Sequence, residues 1–120
     1  MQLFNQYEYS KLLKNGSTEH RSKDHCPVVR FFKPNTNCVW LISAIENLDI
    51  AFGLWNLAKP SPEFGYIHIP EFMRLRGQLG LLIERDSSFR AKFPMSTYAR
   101  AALFYDRIIE DENILIDFID

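Results

Sequence analysis

Glu84, Arg85 and Asp86 stand together in GLLIERDSSF, residues 80–89, where an apolar run gives way to charge. On an extended strand, side chains alternate between the two faces. Leu82, Glu84 and Asp86 then share one face, and Leu81, Ile83 and Arg85 share the other. The two carboxylates would lie roughly 7 Å apart, two residues along the strand. Such a pair suits acid/base work. It also suits a clamp that holds a cation, Arg76 or Arg90, or the N–H groups of the turn at Ser87 and Ser88. A docking surface is the third use. Catalysis further requires a cleft and a shifted pKa, and nothing local announces either, so the clamp is the expectation.

His68 lies in YIHI, three residues before Glu71. With Glu63, Glu71 and Glu84 nearby it could act as a base or a metal ligand, but a single strand histidine is more commonly a hydrogen-bonded sheet residue. His20, His25, Cys26 and Cys38 are all metal-ligand types. Their spacing, H-x4-H-C-x11-C, does not match the paired ligands of zinc sites, and Cys38 opens an apolar run where it would pack as a small hydrophobe. No metal or other cofactor is expected. Glycine-rich phosphate loops and the G-x-S-x-G elbow are absent from the sequence, which removes the strongest enzyme signatures.

These residues need elements to position them. Asn5 followed by Glu8 has the form of a capping box, and Tyr9, Leu12 and Leu13 share a helical face, so a helix is expected over 6–14. STEHRSKDHCP, residues 17–27, reads as a loop. VVRFFKP, CVWLISAIE, DIAFGLWNLA, YIHI and LLIER read as five strands. A short helix with proline near its start falls in PEFMRLRG. Ser96 is the expected cap of a last helix whose apolar stripe is Tyr98, Ala101, Ala102, Tyr105, Ile108 and Ile109. The alternation in NILIDFID suggests an extra edge strand, or a segment that adds to another chain's sheet. The connections between the first four strands are too short for parallel crossovers. The expected fold class is therefore α+β: a single small domain over 1–120, with a largely antiparallel sheet of about five strands, an N-terminal helix, a short helix and a C-terminal helix.

At 47% hydrophobic and 14% aromatic, the 120-residue chain can build a core. No run approaches the roughly 20 apolar residues of a membrane span, and the opening residues lack the form of a signal peptide. Two cysteines are too few for a disulfide scaffold. A cytoplasmic protein without a membrane partner is expected. The net charge of −1 conceals an asymmetry. Residues 74–107 hold seven Arg or Lys (Arg74, Arg76, Arg85, Arg90, Lys92, Arg100, Arg107) against three acids, whereas 108–120 hold five acids and no base. Either the tail folds back to neutralise the basic segment, or the two are surfaces for a charged partner.

The blocks VVRFFKPN, VWLISAIE, IAFGLW, PEFGYIHIPEF and RGQLGLLIERDSSFRAKFPMS, taken in order, resemble the domain-of-unknown-function family DUF2958. The resemblance covers about residues 28–97, leaving 98–120 as a helix and acidic tail beyond it. It implies a small bacterial accessory protein of a kind often encoded on plasmids and other mobile elements, travelling with conjugation or anti-restriction functions, and it implies no established activity. The chain departs from the family where only NLD stands between the second and third strands, and where Leu82 replaces a common proline.

Three functions remain. The first is a non-catalytic module that binds a protein, with Arg74, Arg76, Glu84, Arg85, Asp86, Arg90, Lys92 and His68 as binding candidates, and with a homodimer through the C-terminal tail as one arrangement. The second is nucleic-acid binding through Arg30, Lys33, Arg74, Arg76, Arg90 and Lys92, with Trp40, Phe52 and Trp55 as a stacking row. The third is a small hydrolase-like enzyme, which requires Glu84, Asp86 and His68 to converge.

Overall fold

The computed structural model describes residues 3–57, 61–78 and 83–119. Its elements follow the order α1 (Gln6–Asn15), β1 (Val29–Phe32), β2 (Val39–Asn47), β3 (Ile50–Asn56), β4 (Glu63–His68), α2 (Ile69–Gln78), β5 (Glu84–Arg85), α3 (Met95–Tyr105) and α4 (Glu112–Leu115), closed by a 3-10 turn over Ile116–Phe118. The fold is α+β with one antiparallel five-stranded sheet, as expected. Leu81 and Leu82, assigned to the fifth strand from sequence, lie outside the described residues.

The sheet order is β4-β3-β2-β1-β5. β1 to β4 form a meander of short connections. Asn35 takes the left-handed conformation (φ 64°) in the first of them, which asparagine tolerates better than most residues. β5 then crosses to the far edge and pairs antiparallel with β1, Phe31 opposite Arg85 and Phe32 opposite Glu84.

Alternation along the strands gives the sheet two apolar faces. One face puts Val29, Phe31, Trp40, Ile42 and Ile45 against Leu12 of α1 and Phe72 of α2. The Phe72 ring packs 5.1 Å from that of Phe31 and 5.3 Å from that of Trp40. The other face puts Val39, Leu41 and Leu54 against Met95, Tyr98, Ala101 and Ala102 of α3, with Ile109 and Leu115 beyond. The sheet is thus the middle of three layers, buried on both sides over its central strands.

α1 begins as its capping box dictates: Asn5 and Glu8 exchange side-chain to backbone bonds of 2.7 and 2.9 Å. It ends at Gly16, where a Cβ would stand 1.9 Å from the Ile45 carbonyl oxygen. Only glycine lets the helix end lie this close to β2.

Two local expectations need correction. Ser96 does not cap α3; the cap position is Pro94, which offers no side-chain bond. Asp24, far back in the 17–27 loop, takes over. Its carboxylate accepts from the Ser96 backbone N–H at 3.1 Å and from the Ser96 hydroxyl. The tail is not a strand. Asp111 caps α4 by accepting from the Asn113 N–H at 2.9 Å, and the chain continues helically through Phe118. The period-two pattern yields because Leu115 finds a fully buried place beside α3, which a short helical turn can reach and an edge strand cannot. The stripe expected on α3 also ends early: the helix stops at Tyr105, Asp106 turns left-handed, and Ile109 enters the core from the following loop.

Candidate functional site

Arg85 faces the α1 side of the sheet, and its guanidinium donates to Glu8 Oε2 at 2.8 Å. Asp86 faces the opposite side. Its Oδ1 accepts from the Ser88 N–H at 3.1 Å and from the Ser88 hydroxyl at 2.8 Å, and its Oδ2 accepts from Arg30 at 3.3 Å. Arg30 also reaches Glu110 with bonds of 2.7 and 3.2 Å, and its guanidinium lies 4.8 Å from the Phe32 ring centre. Arg76 donates to the Ile83 carbonyl at 3.0 Å and lies over Phe31. Burial first, and then the neighbouring Arg85 charge, pull its pKa below the ordinary arginine value. The charges around 84–86 therefore pin β5 to α1, β1, α2 and the segment after α3. They act as a clamp, with Arg30 as the cation on Asp86 rather than Arg76 or Arg90. Glu84 is exposed.

His68 lies on β4, at the other edge of the sheet from Glu84. Four strand spacings separate β4 from β5, roughly 19 Å at 4.8 Å each. The trio that acid/base catalysis needs is not assembled. His68 instead stands 3.8 Å from Glu71, with both side chains in solvent.

Two cations of the basic segment, Lys92 and Arg100, are engaged by the tail. Lys92 pairs with Glu112 at 3.2 Å. Arg100 gives two bonds, 2.8 and 2.6 Å, to the Phe118 carbonyl oxygen. Arg107 lies over the Tyr105 ring. Arg90 is exposed and reaches the Phe89 carbonyl, and Arg74 is exposed on α2. The cations proposed for a nucleic-acid surface are thus scattered, and Arg30 is neutralised by two carboxylates. Of the stacking row, Trp40 is buried in the core and faces Trp55 across β2 and β3. Phe52 instead joins Phe64 and Tyr66, at 5.0 and 5.4 Å between ring centres.

His25 is held by its ring to the His20 carbonyl at 2.8 Å, and Cys38 is buried. Cys26 lies at the surface, and partial desolvation first and then the Asp24 charge raise its thiol pKa, the reverse of an activated nucleophile. Among the described residues, no three His, Cys, Asp or Glu side chains are grouped to hold a metal ion, and no helix is long and apolar enough to cross a membrane. An open polar cleft of about 600 Å³ lies between α1 and the 24–28 and 87–91 segments, with Glu8, Lys11, Asp24 and Arg90 on its walls.

Among the described residues, an exposed apolar group lies at the end of α3. Leu103 is 86% exposed and Phe104 72% exposed. The Phe104, Tyr105 and Phe118 rings pack together with centres 5.0–6.0 Å apart, and Ile116 and Ile119, close to Phe118 in sequence, are also exposed. Asp106, Arg107 and Asp117 border it in sequence. Sequence reading missed Leu103 and Phe104, which fall off the buried stripe of α3. That is itself the available signal, since large apolar residues opposite a helix's core stripe have no internal use.

The family model of proteins of unknown function, DUF2958, matches residues 3–109. The chain belongs to the DUF2958 family. The match is wider than the resemblance over 28–97, for it takes in α1 and all of α3. Of the acidic tail, only 110–120 lies beyond it. No curated protein and no solved structure matches the chain.

Proposed function

We propose that this DUF2958 protein is a non-catalytic protein-binding module of a bacterial mobile element, acting in the cytoplasm to counteract or modulate a host defence or conjugation factor. The patch of Leu103, Phe104, Tyr105 and Phe118 carries the reading. A pre-packed group of aromatic side chains on the surface has the character of a protein-binding hot spot. Its position is fixed before binding, because Arg100 ties the tail to α3 through the Phe118 carbonyl. The partner would offer an apolar pocket with a basic rim, matching the acids of the tail. The mobile-element setting and the kind of target rest on the family resemblance.

The test is affinity capture from a bacterial host with the wild-type chain and Phe104→Ser, each with and without nuclease. The expected result is one stoichiometric protein that survives nuclease and is lost with Phe104→Ser, then rebinds the purified wild type. Partners released by nuclease would favour nucleic-acid binding through Arg74 and Arg90. Equal capture by both chains would overturn the assignment of the patch.

A further inference from the structure

We propose that β4 is a self-complementary edge, on which a second copy of this chain adds its own β4 antiparallel, extending the sheet to ten strands across a two-fold axis. β4 is the last strand on its side of the sheet among the described residues. Its pairing with β3 runs without a shift from Glu63 to His68. The Ile69 N–H donates to the Asp49 carbonyl at 2.8 Å, in the same register as those pairs. Antiparallel bonds recur at every second residue, so Glu63, Gly65 and Ile67 direct their backbone groups toward β3. Phe64, Tyr66 and His68 direct theirs outward.

A perpendicular two-fold axis keeps corresponding faces of the two sheets together, so paired residues must both be even or both be odd. Centring the axis on Tyr66 places Tyr66 opposite Tyr66 of the second copy and Phe64 opposite its His68. Those are the residues with outward backbone groups, and they supply three bonded pairs. One step further along, the register would set Pro62 against Pro70, where the chain has already turned into α2. Neither has an N–H to give, so the ladder stops at the same point at both ends. Shifting the axis to Gly65 would bring Pro62 opposite His68 and lose bonds. The sequence from Pro62 to Pro70 is thus symmetric about Tyr66 in the features that define a pairing register.

The side chains agree with this placement. Phe64 is 51% exposed and Tyr66 61% exposed, on the same face, and Phe52 of β3 packs against both. Two copies would join these triads into one aromatic stripe, and cross-strand aromatic pairs stabilise sheets. Glu63 to His68 contains no Lys, Pro or bulge, the usual devices that block edge pairing.

The experiment is sedimentation of the full chain over a range of concentrations, with disulfide trapping in a Cys26→Ser background. Tyr66→Cys should cross-link to dimer on mild oxidation, because the paired Cα atoms would stand about 5.5 Å apart. Leu103→Cys, more exposed but away from the axis, should not. Tyr66→Lys puts like charges face to face and should weaken the dimer by about tenfold or more, with an unchanged circular-dichroism spectrum. A chain that stays monomeric at every concentration would overturn the proposal. So would a dimer trapped through Leu103→Cys and not through Tyr66→Cys.

Discussion

Arg30 on β1 and Glu110 beyond α3 are joined by two hydrogen bonds, although 80 residues separate them. The pair ties the sheet to the segment that leads into the tail, and Asp86 shares the same guanidinium. A double-mutant cycle on Arg30→Met and Glu110→Gln should return a coupling of about 1 kcal/mol by urea unfolding, the upper end for partly exposed pairs. Arg30→Met alone should cost more than Glu110→Gln alone, because it frees two carboxylates at once.

Glu8 has two roles, closing the capping box on Asn5 and pairing with Arg85, and it is buried. Glu8→Ala should destabilise by about 2–3 kcal/mol, since it removes a cap bond and leaves the guanidinium without its carboxylate. Glu8→Gln keeps the cap geometry and should cost roughly half as much. Equal losses for the two variants would contradict the double role.

Gly16 has an ordinary helical backbone, φ −88°, so its requirement for glycine is spatial. Gly16→Ala would press a methyl group into the Ile45 carbonyl and should cost about 1–3 kcal/mol as α1 is forced away from β2. A thermal melt equal to that of the wild type would show that α1 can shift without penalty.

Tyr98 lies in the core beside α4, and its phenol pKa is pushed up to about 12, by burial first and then by the negative charge of Glu110. A raised folded-state pKa favours the protonated form. Its stabilising contribution is therefore complete below the unfolded value near 10 and is lost as pH rises from there through about 12. Alkaline absorbance titration should find one of the five tyrosines ionising late, at or together with unfolding. Tyr98→Phe should remove that late step.

The meander was legible because each strand carries its own signal: β-branched and aromatic runs divided by PNTN and NLD. The capping box likewise located α1 within a residue. What could not be read depends on contacts distant in sequence. IERD was identifiable as a clamp, but its partners Glu8 and Arg30 are 77 and 56 residues away, and no spacing rule connects them. Asp24 reaches the start of α3 across 72 residues, whereas local spacing points only to Ser96. The tail misled for a different reason. Its alternation is genuine, but four residues with an aspartate cap and a buried leucine gain more from packing on α3 than from extending along an edge. Convergence of Glu84, Asp86 and His68 depended on strand order, which alternation does not encode.

The β4-β3-β2-β1-β5 order also has a consequence for synthesis. On the ribosome the first four strands can zip together as successive hairpins once His68 has emerged. At that stage β1 is still an open edge, and Arg30 faces neither Asp86 nor Glu110. Closure waits for Glu84 and Arg85, and the lock on Arg30 waits for Glu110. A nascent chain stalled between those points would expose the apolar rim of VRFF to its neighbours, so the last third of the chain serves as a built-in guard for a strand made near the beginning.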